Sequence, residues 1–484
     1  MTRQATVAAI DLGASSGRVI AGRVAADELE VLQAHRFPNV PVRILGTLHW
    51  DILRLFGDIL DGIRSIAGGA DLASIGIDSW GVDYGLIGED GQLIANPLHY
   101  RDTRTLAVIP QVLERIPAAE LYAITGIQQL PINTIYQVVA ALDTPAVRAA
   151  SCLLLIPDLV AYWLTGNIGA EVTNASTTQL YDLRTRSWAA SVMDRVGIPQ
   201  RLFPPLRQPG EIIGDVRPDA AAGVSAPVIS VASHDTASAV VAVPASGPDF
   251  AYISCGTWSL VGLELSQPVI TEASRRANFT NETGIDGTIR YLRNVMGLWL
   301  LQECMRTWAL QGLHIDQDQL AARASREPPL RSVIDPDDPA FLAPGDMPAR
   351  IAAACAATGQ HVPQTPAQMT RCILDSLALA HRRVIAEVQD LSRRHADVIH
   401  LVGGGARNQL LCQLTADACG LPVIAGPAEA TAVGNMLVQA RALGAGPAEL
   451  PAMRAMVRDT QPLSCYQPRE AQAWQSAALR IGRG

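Results

Sequence analysis

Apolar and polar residues alternate along the chain in blocks that predict an α/β protein. Short apolar runs rich in Val, Ile and Ala, each ending in glycine or polar residues, are typical of buried strands. A Gly/Ser turn interrupts such a run in residues 7–24, and Gly256 and Thr257 interrupt another in residues 249–264. Both segments therefore predict a strand, a tight turn and a second strand.

Other blocks have the spacing of helices. Apolar residues recur at i, i+3 and i+4 in residues 50–67, and a long periodic run occupies residues 369–391. Both patterns predict helices with a buried face. The apolar run 153–166 predicts a buried helix, and the polar residues 174–179 predict a turn.

Two segments place polar groups at the predicted start of a helix. We expect a helix to begin at Asn294, which could cap it or bind a ligand, with Gln302 about two turns further along that face. Further on, Gly403-Gly-Gly405 follows an apolar strand and precedes a helix, so bare backbone there would admit a flat purine or a phosphate. A Rossmann dinucleotide site is the rival, but its glycine spacing and its acidic residue fit this sequence badly.

The middle of the chain carries a candidate catalytic carboxylate. The run 228–232 predicts a buried strand that stops at Ser233-His234-Asp235-Thr236, just before a predicted helix. In open α/β sheets, ligands bind at the carboxyl ends of strands, where Asp235 could accept a proton from a substrate hydroxyl. Ser, Asp and Thr are also favoured N-cap residues, so simple helix capping is the alternative.

The first predicted hairpin has a turn of the right size for a phosphate group. Gly13 and Gly17 allow close backbone approach, residues 14–16 (Ala14, Ser15 and Ser16) offer amides and hydroxyls, and Arg18 can pair with phosphate. Asp11 could hold a magnesium ion through water. An ordinary glycine turn is the alternative. A second, similar hairpin in the other half of the chain favours a duplicated, nucleotide-binding architecture.

Composition narrows the possible functions. The chain has 484 residues, which suits two large domains, and a net charge of −8, with no basic run that would favour nucleic acid as a partner. None of its 38 basic residues is a lysine, which excludes Walker A and Schiff-base chemistry. Pro157 and Asp158 interrupt the best candidate for a membrane span, and no signal peptide is evident. We therefore expect a cytoplasmic protein.

The eight cysteines form no C-x-x-C pair, which argues against a structural zinc site. Cys412 and Cys419 are expected on one helix, two turns apart and too distant to bridge. Cys355 and Cys372 lie on different predicted elements and could pair, although a cytosolic compartment argues against a disulfide.

Taken together, these motifs resemble the FGGY family of carbohydrate kinases, and within it the branch that acts on L-rhamnulose. The segments that carry the resemblance span nearly the whole chain; they are 11–18, 76–83, 100–102, 233–238, 256–259, 294–302, 403–408, 416–420 and 429–435. Many family members carry a lysine near Tyr136-Gln137. Its absence here leaves that part of the sugar site unassigned.

The resemblance implies two actin-like (ribonuclease-H-like) ATPase domains, 1–243 mainly for sugar and 244–484 mainly for ATP, with an interdomain cleft. Asp235 becomes the proton acceptor in the phosphorylation of L-rhamnulose at its C1 hydroxyl, with Mg²⁺ accompanying ATP. The ATP-binding residues implied are Ala14, Ser15, Ser16, Gly17, Arg18, Thr257, Gln302 and Gly404. The sugar-binding residues implied are Gly81, His234, Asp235, Thr236 and Asn294. The resemblance also favours the pairing of Cys355 with Cys372.

Alternative functions remain at this point. A kinase for a related ketose such as L-fuculose would share the same motifs. An ATP-gated chaperone would need a peptide-binding domain for which the length leaves no room, and a sugar sensor would have no need of a general base. The expected partners are a small sugar and ATP, in a monomer or homodimer, without nucleic acid or membrane.

Overall fold

A computed structural model describes residues 4–67, 71–221, 223–469 and 472–481. The chain forms two compact α/β units, as predicted. The first unit consists of Met1–Ser246, Glu264–Tyr291 and Ala430–Gln461, and the second consists of Gly247–Leu263, Leu292–Glu429 and Pro462–Gly484. Two late segments of the chain therefore fold with the first unit. The division of sugar and ATP between residues 1–243 and 244–484 stays a prediction.

The strands of the described residues are numbered in chain order. They are β1 Ala5–Leu12, β2 Ser16–Val24, β3 Leu29–Pro38, β4 Val42–Ile44, β5 Thr47–His49, β6 Ser74–Ser79, β7 Tyr84–Gly88, β8 Ala150–Leu155, β9 Ala170–Glu171, β10 Tyr181–Asp182, β11 Ser187–Trp188, β12 Leu206–Arg207, β13 Ile212–Asp215, β14 Pro227–Ile229, β15 Phe250–Cys255, β16 Trp258–Leu265, β17 Thr280–Thr283, β18 Ile289–Met296, β19 Val398–Val402, β20 Val423–Ala425 and β21 Ser464–Tyr466.

The helices are numbered in the same way. They are α1 Ile52–Ala67, α2 Ile109–Arg115, α3 Ala118–Thr125, α4 Thr134–Ala141, α5 Pro145–Ala149, α6 Ile156–Thr165, α7 Val172–Ala175, α8 Ala190–Val196, α9 Asp235–Val241, α10 Glu272–Arg276, α11 Trp299–Leu310, α12 Gln317–Ala324, α13 Met347–Ala357, α14 Pro366–Ser392, α15 Gln409–Cys419, α16 Ala430–Ala442, α17 Leu450–Thr460 and α18 Gln472–Ile481.

The two main sheets repeat one arrangement. The first has the order β13-β14-β6-β1-β2-β3, and the second has the order β17-β18-β16-β15-β19-β20-β21. Each contains an antiparallel hairpin, β1–β2 or β15–β16, whose first strand pairs in parallel with a later strand, β6 or β19. Both predicted hairpins are thus confirmed, and their equivalent places in the sheets support a duplicated architecture.

Carboxyl ends of parallel strands meet at one edge of the first sheet. Strands β14, β6 and β1 are parallel neighbours, and Asp11 lies opposite Asp78 in the register of β1 and β6. Strand β6 is buried along its whole length, including its polar residues. This edge therefore collects the loops that follow Leu12, Ser79 and Ile229.

Several predicted elements differ in the structure. The segment 153–166 is the end of strand β8 followed by helix α6, because Pro157 occupies the first turn, where its fixed φ favours starting a helix. The residues 174–179, predicted as a polar turn, form helical turns, and their side chains are buried. Asn294 lies in strand β18, and the helix begins only at Trp299, so Asn294 and Gln302 do not share a helix face.

No helix in the described parts of the chain is long and apolar enough to cross a membrane. The longest, α14, has 27 residues and contains several charged ones, and it packs its buried face within the second unit. The long periodic run that predicted it is therefore a core helix.

One buried histidine should make the second unit sensitive to acid. His381 on α14 is fully buried between the hydroxyls of Thr415 (3.1 Å) and Ser259 (3.2 Å), and burial lowers its pKa from 6.5 to about 3. A folded pKa below the unfolded one stabilises the protein above pH 6.5, and this stability is lost as the pH falls toward 3.

In the wild-type protein, His381 should lower the free energy of unfolding by about 1.4 kcal/mol for each pH unit below 6.5. We expect His381→Gln to remove this part of the slope. Chemical denaturation at a series of pH values measures the slope. His395→Gln is the matched control, because that side chain is 74% exposed. Equal slopes in the wild-type protein and the His381 variant would contradict the prediction.

Candidate active site

Asp235 stands at the start of helix α9, directly after the edge of the first sheet. The N-cap of this helix is His234, and no side chain makes a capping hydrogen bond there. The Asp235 side chain is 30% exposed, whereas that of His234 is 9% exposed. The carboxylate is therefore not used as a helix cap, and it is open to a ligand. The strand before it is shorter than predicted and ends at Ile229.

The loop that leads to Asp235 is fixed to the neighbouring strand. The Ser79 amide donates to the Ser233 carbonyl (2.9 Å), and Ser79 and His234 form an isolated parallel bridge. The Thr236 hydroxyl donates to Asp235 Oδ1 (3.1 Å). These bonds place the predicted segment 233–236 beside the end of β6, as expected for a ligand site at a sheet edge.

A buried carboxylate that the sequence reasoning did not assign holds the same loop. Glu171 accepts hydrogen bonds from the Ser233 amide (2.9 Å) and hydroxyl (2.7 Å), and also from the Thr173 amide (2.8 Å) and hydroxyl (2.5 Å). The His234 amide donates in turn to the Thr173 hydroxyl (3.2 Å). Burial raises the pKa of Glu171, while these hydrogen bonds act in the opposite direction. Glu171 thus holds the loop before Asp235 in place through its hydrogen bonds to Ser233.

Three carboxylates interact at this edge. Asp78, also unassigned by sequence reasoning, has a pKa well above its usual value because it is buried and because Asp11 and Asp235 are near, while a hydrogen bond from Asn435 (2.5 Å) lowers it. Its Oδ1 is buried with no hydrogen-bond partner among the described residues. The alternating Ile75 and Ile77, followed directly by an aspartate, were the signal that could have identified it.

The turn of the first hairpin is closed and presents its tip to solvent. The Gly13 amide donates to the Ser16 carbonyl (2.9 Å), and the side chain of Asn39 donates to the Gly13 carbonyl (2.9 Å). The side chains of Ser15 and Ser16 are exposed, and Ala14 is half-buried. Groups that could bind phosphate are therefore available at the tip.

Two residues at the start of β2, just after this turn, have structural partners. Arg18 Nε lies 2.9 Å from Asp11 Oδ2, in a mostly buried ion pair across the hairpin. A Cβ on Gly17 would lie 2.1 Å from the Phe37 ring, so this glycine makes room for an aromatic side chain. Its predicted part in ATP binding can involve its backbone only.

The loop after β6 is held under backbone strain. Val82 has φ +69°, a conformation that is rare for a β-branched residue, and a Cβ on Gly81 would lie 2.9 Å from Thr177 Oγ1. Strain of this kind persists only where the surroundings enforce it, and it is concentrated at functional sites. Here the Val82 carbonyl accepts from the hydroxyl of Thr134 (2.7 Å) and the amide of Gln137 (3.3 Å).

Asp83 anchors the far side of this loop. Its buried carboxylate accepts from the indoles of Trp50 (2.6 Å) and Trp80 (3.1 Å), from the Tyr100 amide (3.1 Å) and from Gln137 (2.8 Å). Burial raises its pKa to about 6 in spite of these bonds. Gln137, in the region where many family members carry lysine, therefore has a positioning role in this chain.

Three of the predicted ATP-binding residues, Thr257, Gln302 and Gly404, lie in the second unit. Thr257, in the β15–β16 turn, donates from its hydroxyl to Gln302 Oε1 (3.4 Å) on α11. After β19, a Cβ on Gly405 would lie 2.4 Å from Cys255 Sγ, whereas a Cβ on Gly404 would meet nothing within 4 Å. Gly404 is exposed, so its face is open to a ligand. Asn294, in strand β18, is half-buried.

The two cysteines of the predicted pair are close but not joined. Cys355 on α13 and Cys372 on α14 are buried, with their sulfurs 4.0 Å apart, and both are free thiols in the structure. A disulfide would need about 2.05 Å. The thiols are thus adjacent, and their pairing stays a prediction.

Known proteins resemble this chain over its whole length. Residues 6–242 match the N-terminal domain and residues 251–443 the C-terminal domain of the FGGY family of carbohydrate kinases. The rhamnulokinase of Bacteroides thetaiotaomicron is 42% identical over 483 residues, which cover 98% of each chain. That of Pectobacterium carotovorum subsp. carotovorum is 44% identical over 470 residues, covering 96% of this chain and 93% of the relative.

Solved structures agree with the fold. The xylulose kinase of Lactobacillus acidophilus superimposes with a TM-score of 0.79 at 16% identity, covering 98% of this chain and 96% of that one. The glycerol kinase of Plasmodium falciparum gives a TM-score of 0.77 at 14% identity, with coverage of 98% and 96%. The two matching domains, which cover most of the chain, show that it belongs to the FGGY family of carbohydrate kinases.

Proposed function

We propose that this chain transfers the γ-phosphoryl group of ATP to the C1 hydroxyl of L-rhamnulose, giving L-rhamnulose 1-phosphate and ADP. The observation that carries this proposal is the partly exposed Asp235 carboxylate, fixed at the edge of the first sheet and not used as a helix cap. The choice of sugar follows the relatives named rhamnulokinase.

In the proposed reaction, the C1 oxygen forms a bond to the γ-phosphorus while the bond from that phosphorus to the β–γ bridging oxygen breaks. The proton of the hydroxyl passes to Asp235, and ADP leaves with the bridging oxygen. Phosphoryl transfer depends chiefly on alignment and on stabilising charge. The hydrogen bonds that Glu171 accepts from Ser233 and that Thr236 donates to Asp235 therefore matter, because they fix the loop that carries the base.

Sugar recognition is assigned to the groups near this base. We assign Gly81, His234 and Thr236 of the first unit and Asn294 of the second to the sugar hydroxyls. The strained turn at Val82 supports this assignment, since it presents the Gly81 backbone in a fixed conformation.

ATP is assigned to residues in or beside the turns, and to one residue of α11: Ala14, Ser15, Ser16, Gly17, Arg18, Thr257, Gln302 and Gly404. Because the chain contains no lysine, the permanently cationic side chains available for phosphate are arginines, and Arg18 lies at the start of β2, beside the hairpin turn. Binding would require Arg18 to be shared between Asp11 and the phosphates.

The residues present fit a divalent cation, which we propose to be Mg²⁺. Asp11 and Asp78 lie opposite each other in neighbouring strands, and Asp78 Oδ1 is buried without a hydrogen-bond partner among the described residues. Carboxylate oxygens are the ligands that Mg²⁺ prefers, with water completing its shell. The ion would neutralise charge on the phosphates when bound. An enzyme that uses ATP is expected in the cytoplasm, as a monomer or homodimer.

A panel of ketoses tests the substrate. The purified protein, given ATP and Mg²⁺, is expected to release ADP fastest with L-rhamnulose and more slowly with L-fuculose and xylulose. A higher kcat/KM with L-fuculose would replace the substrate but keep the reaction. Tight sugar binding without ADP release would indicate the sensor alternative.

Gly404→Val is expected to weaken ATP binding by roughly tenfold or more, since ~1.4 kcal/mol of steric conflict suffices for that. The open space around the Gly404 Cβ lets valine fold without a clash, so only a ligand should be affected. Titration calorimetry with a non-hydrolysable ATP analogue measures the change. Gly247→Val is the control, because its Cβ position is equally open and lies outside the predicted site. Unchanged nucleotide affinity would remove Gly404 from the site.

A further inference from the structure

A buried ion pair lies behind His234. Glu282 on β17 is 4% exposed and Arg290 on β18 is fully buried, with Arg290 Nη1 2.9 Å from Glu282 Oε2. The same oxygen lies 3.3 Å from His234 Nδ1. The sequence analysis did not predict a role for either residue, because both lie some 50 residues beyond the loop that they contact.

This contact decides which nitrogen of the His234 ring carries the proton. Nδ1 is buried and has no partner among the described residues other than the Glu282 carboxylate. Burial raises the pKa of Glu282, but Arg290 and the hydrogen bond from His234 outweigh burial, so its pKa is lowered and it is ionised. An ionised oxygen only accepts hydrogen bonds, so Nδ1 must donate.

The second ring nitrogen then faces the reacting side. His234 Nε2 lies 3.5 Å from Asp235 Oδ1. If Nδ1 holds the proton of a neutral ring, Nε2 is an acceptor, and two acceptors face each other where a hydroxyl group could donate.

We propose that Glu282 is a positioning residue that holds His234 in the Nδ1-protonated form, so that His234 Nε2 accepts a hydrogen bond from a hydroxyl of the bound sugar. This inference rests on the proposed function, because it assigns the acceptor to the sugar. The proposal also requires that the sugar hydroxyl nearest to the C1 hydroxyl donate a hydrogen bond to the imidazole of His234. Ketoses that lack this hydroxyl would be bound less well.

The ring nitrogens can be observed directly by NMR. In the full-length protein labelled with ¹⁵N-histidine, the signal of His234 is identified by its loss in His234→Gln. We expect one protonated and one unprotonated nitrogen, with the proton on Nδ1, in the absence of sugar. A proton on Nε2 in the wild-type protein would overturn the proposal without any further variant.

Two variants separate positioning from stability. Glu282→Met/Arg290→Met removes both charges and the acceptor together, and apolar replacement of a whole buried pair is often neutral for folding. We expect Nδ1 to lose its proton preference and L-rhamnulose affinity to fall by about tenfold, the loss of one hydrogen bond, with nucleotide affinity unchanged. Glu282→Gln keeps an accepting oxygen and should retain the Nδ1 proton and most of the sugar affinity.

The outcomes are distinct. A folded double-methionine variant with the wild-type ring signals and sugar affinity would show that Glu282 is structural only. If the double-methionine variant does not fold, Glu282→Gln and the wild-type ring signals test the proposal instead. Loss of the Nδ1 proton in Glu282→Gln would contradict it. A wild-type protein that binds no L-rhamnulose would overturn the proposed function and the acceptor role, whereas the ring signals without sugar would still test Glu282.

Discussion

Replacing Asp235 with Asn is expected to lower turnover at least about 10²-fold while L-rhamnulose still binds, because general-base assistance is worth roughly 10²–10⁴-fold. Asn has the same shape, and its oxygen can still accept the hydrogen bond from Thr236. It cannot take the proton of the attacking hydroxyl. Steady-state ADP release gives the rate, and titration calorimetry gives the sugar affinity.

The structure sharpens this test. Asp235 is not the N-cap of α9, so the substitution removes no capping hydrogen bond. Asp61→Asn is a matched control on the first unit, because that side chain is 67% exposed and pairs only with Arg64 on the surface of α1 among the described residues. A variant of Asp235 that keeps most of its rate would exclude it as the base.

Gly434→Ala is expected to destabilise the first unit strongly. Gly434 lies in α16, and a Cβ there would lie 1.8 Å from the Ser238 carbonyl oxygen of α9. Overpacking a core costs about 1–3 kcal/mol and occasionally more. Since the atom in the way is backbone and cannot rotate aside, we expect the upper end of that range or beyond. Helix α9 carries Asp235 as its first residue, so activity should fall as well.

Gly57→Ala is the same chemical change with the opposite expected sign. Gly57 lies on α1, and a Cβ there would meet nothing within 4 Å, so alanine should stabilise the protein by about 0.4–1 kcal/mol. Urea denaturation of the two variants gives both values. Similar effects of the two substitutions would contradict the close approach of α16 and α9.

The parts of the fold with local signals were predictable from the sequence. Both hairpins and α14 were confirmed because a glycine turn between apolar strands and a long helical period leave few alternatives. The buried helix predicted for 153–166 is confirmed for Ile156–Thr165, but the first residues of the run end strand β8, since a continuous apolar run does not distinguish a buried strand from a buried helix. Pro157 was the available signal for the helix start.

The groups that support the candidate site could not be predicted. Glu171 bonds to Ser233 across 62 residues of chain, and Asn435 bonds to Asp78 across 357 residues. The residues next to Glu171 and Asn435 in the sequence do not indicate these partners, because a hydrogen bond between distant parts of the chain produces no local sequence pattern. The sequence could point to the residues at the ends of strands, but not to the residues behind them.

The division of the first unit into three chain segments affects how the protein is made. Helix α16 supplies Asn435 and also Gln439, which bonds to Ser74 (2.7 Å) and to the Ala8 carbonyl (3.0 Å). Some 180 residues separate Ser246 from this helix, so at ~5–20 residues per second the ribosome needs about 10–40 s to supply it. During that time the nascent sheet lacks one of its covering helices. The ribosome therefore makes the first segment of this unit at the start of synthesis and its last segment near the end. This leaves a long interval in which chaperones can bind the incomplete first unit.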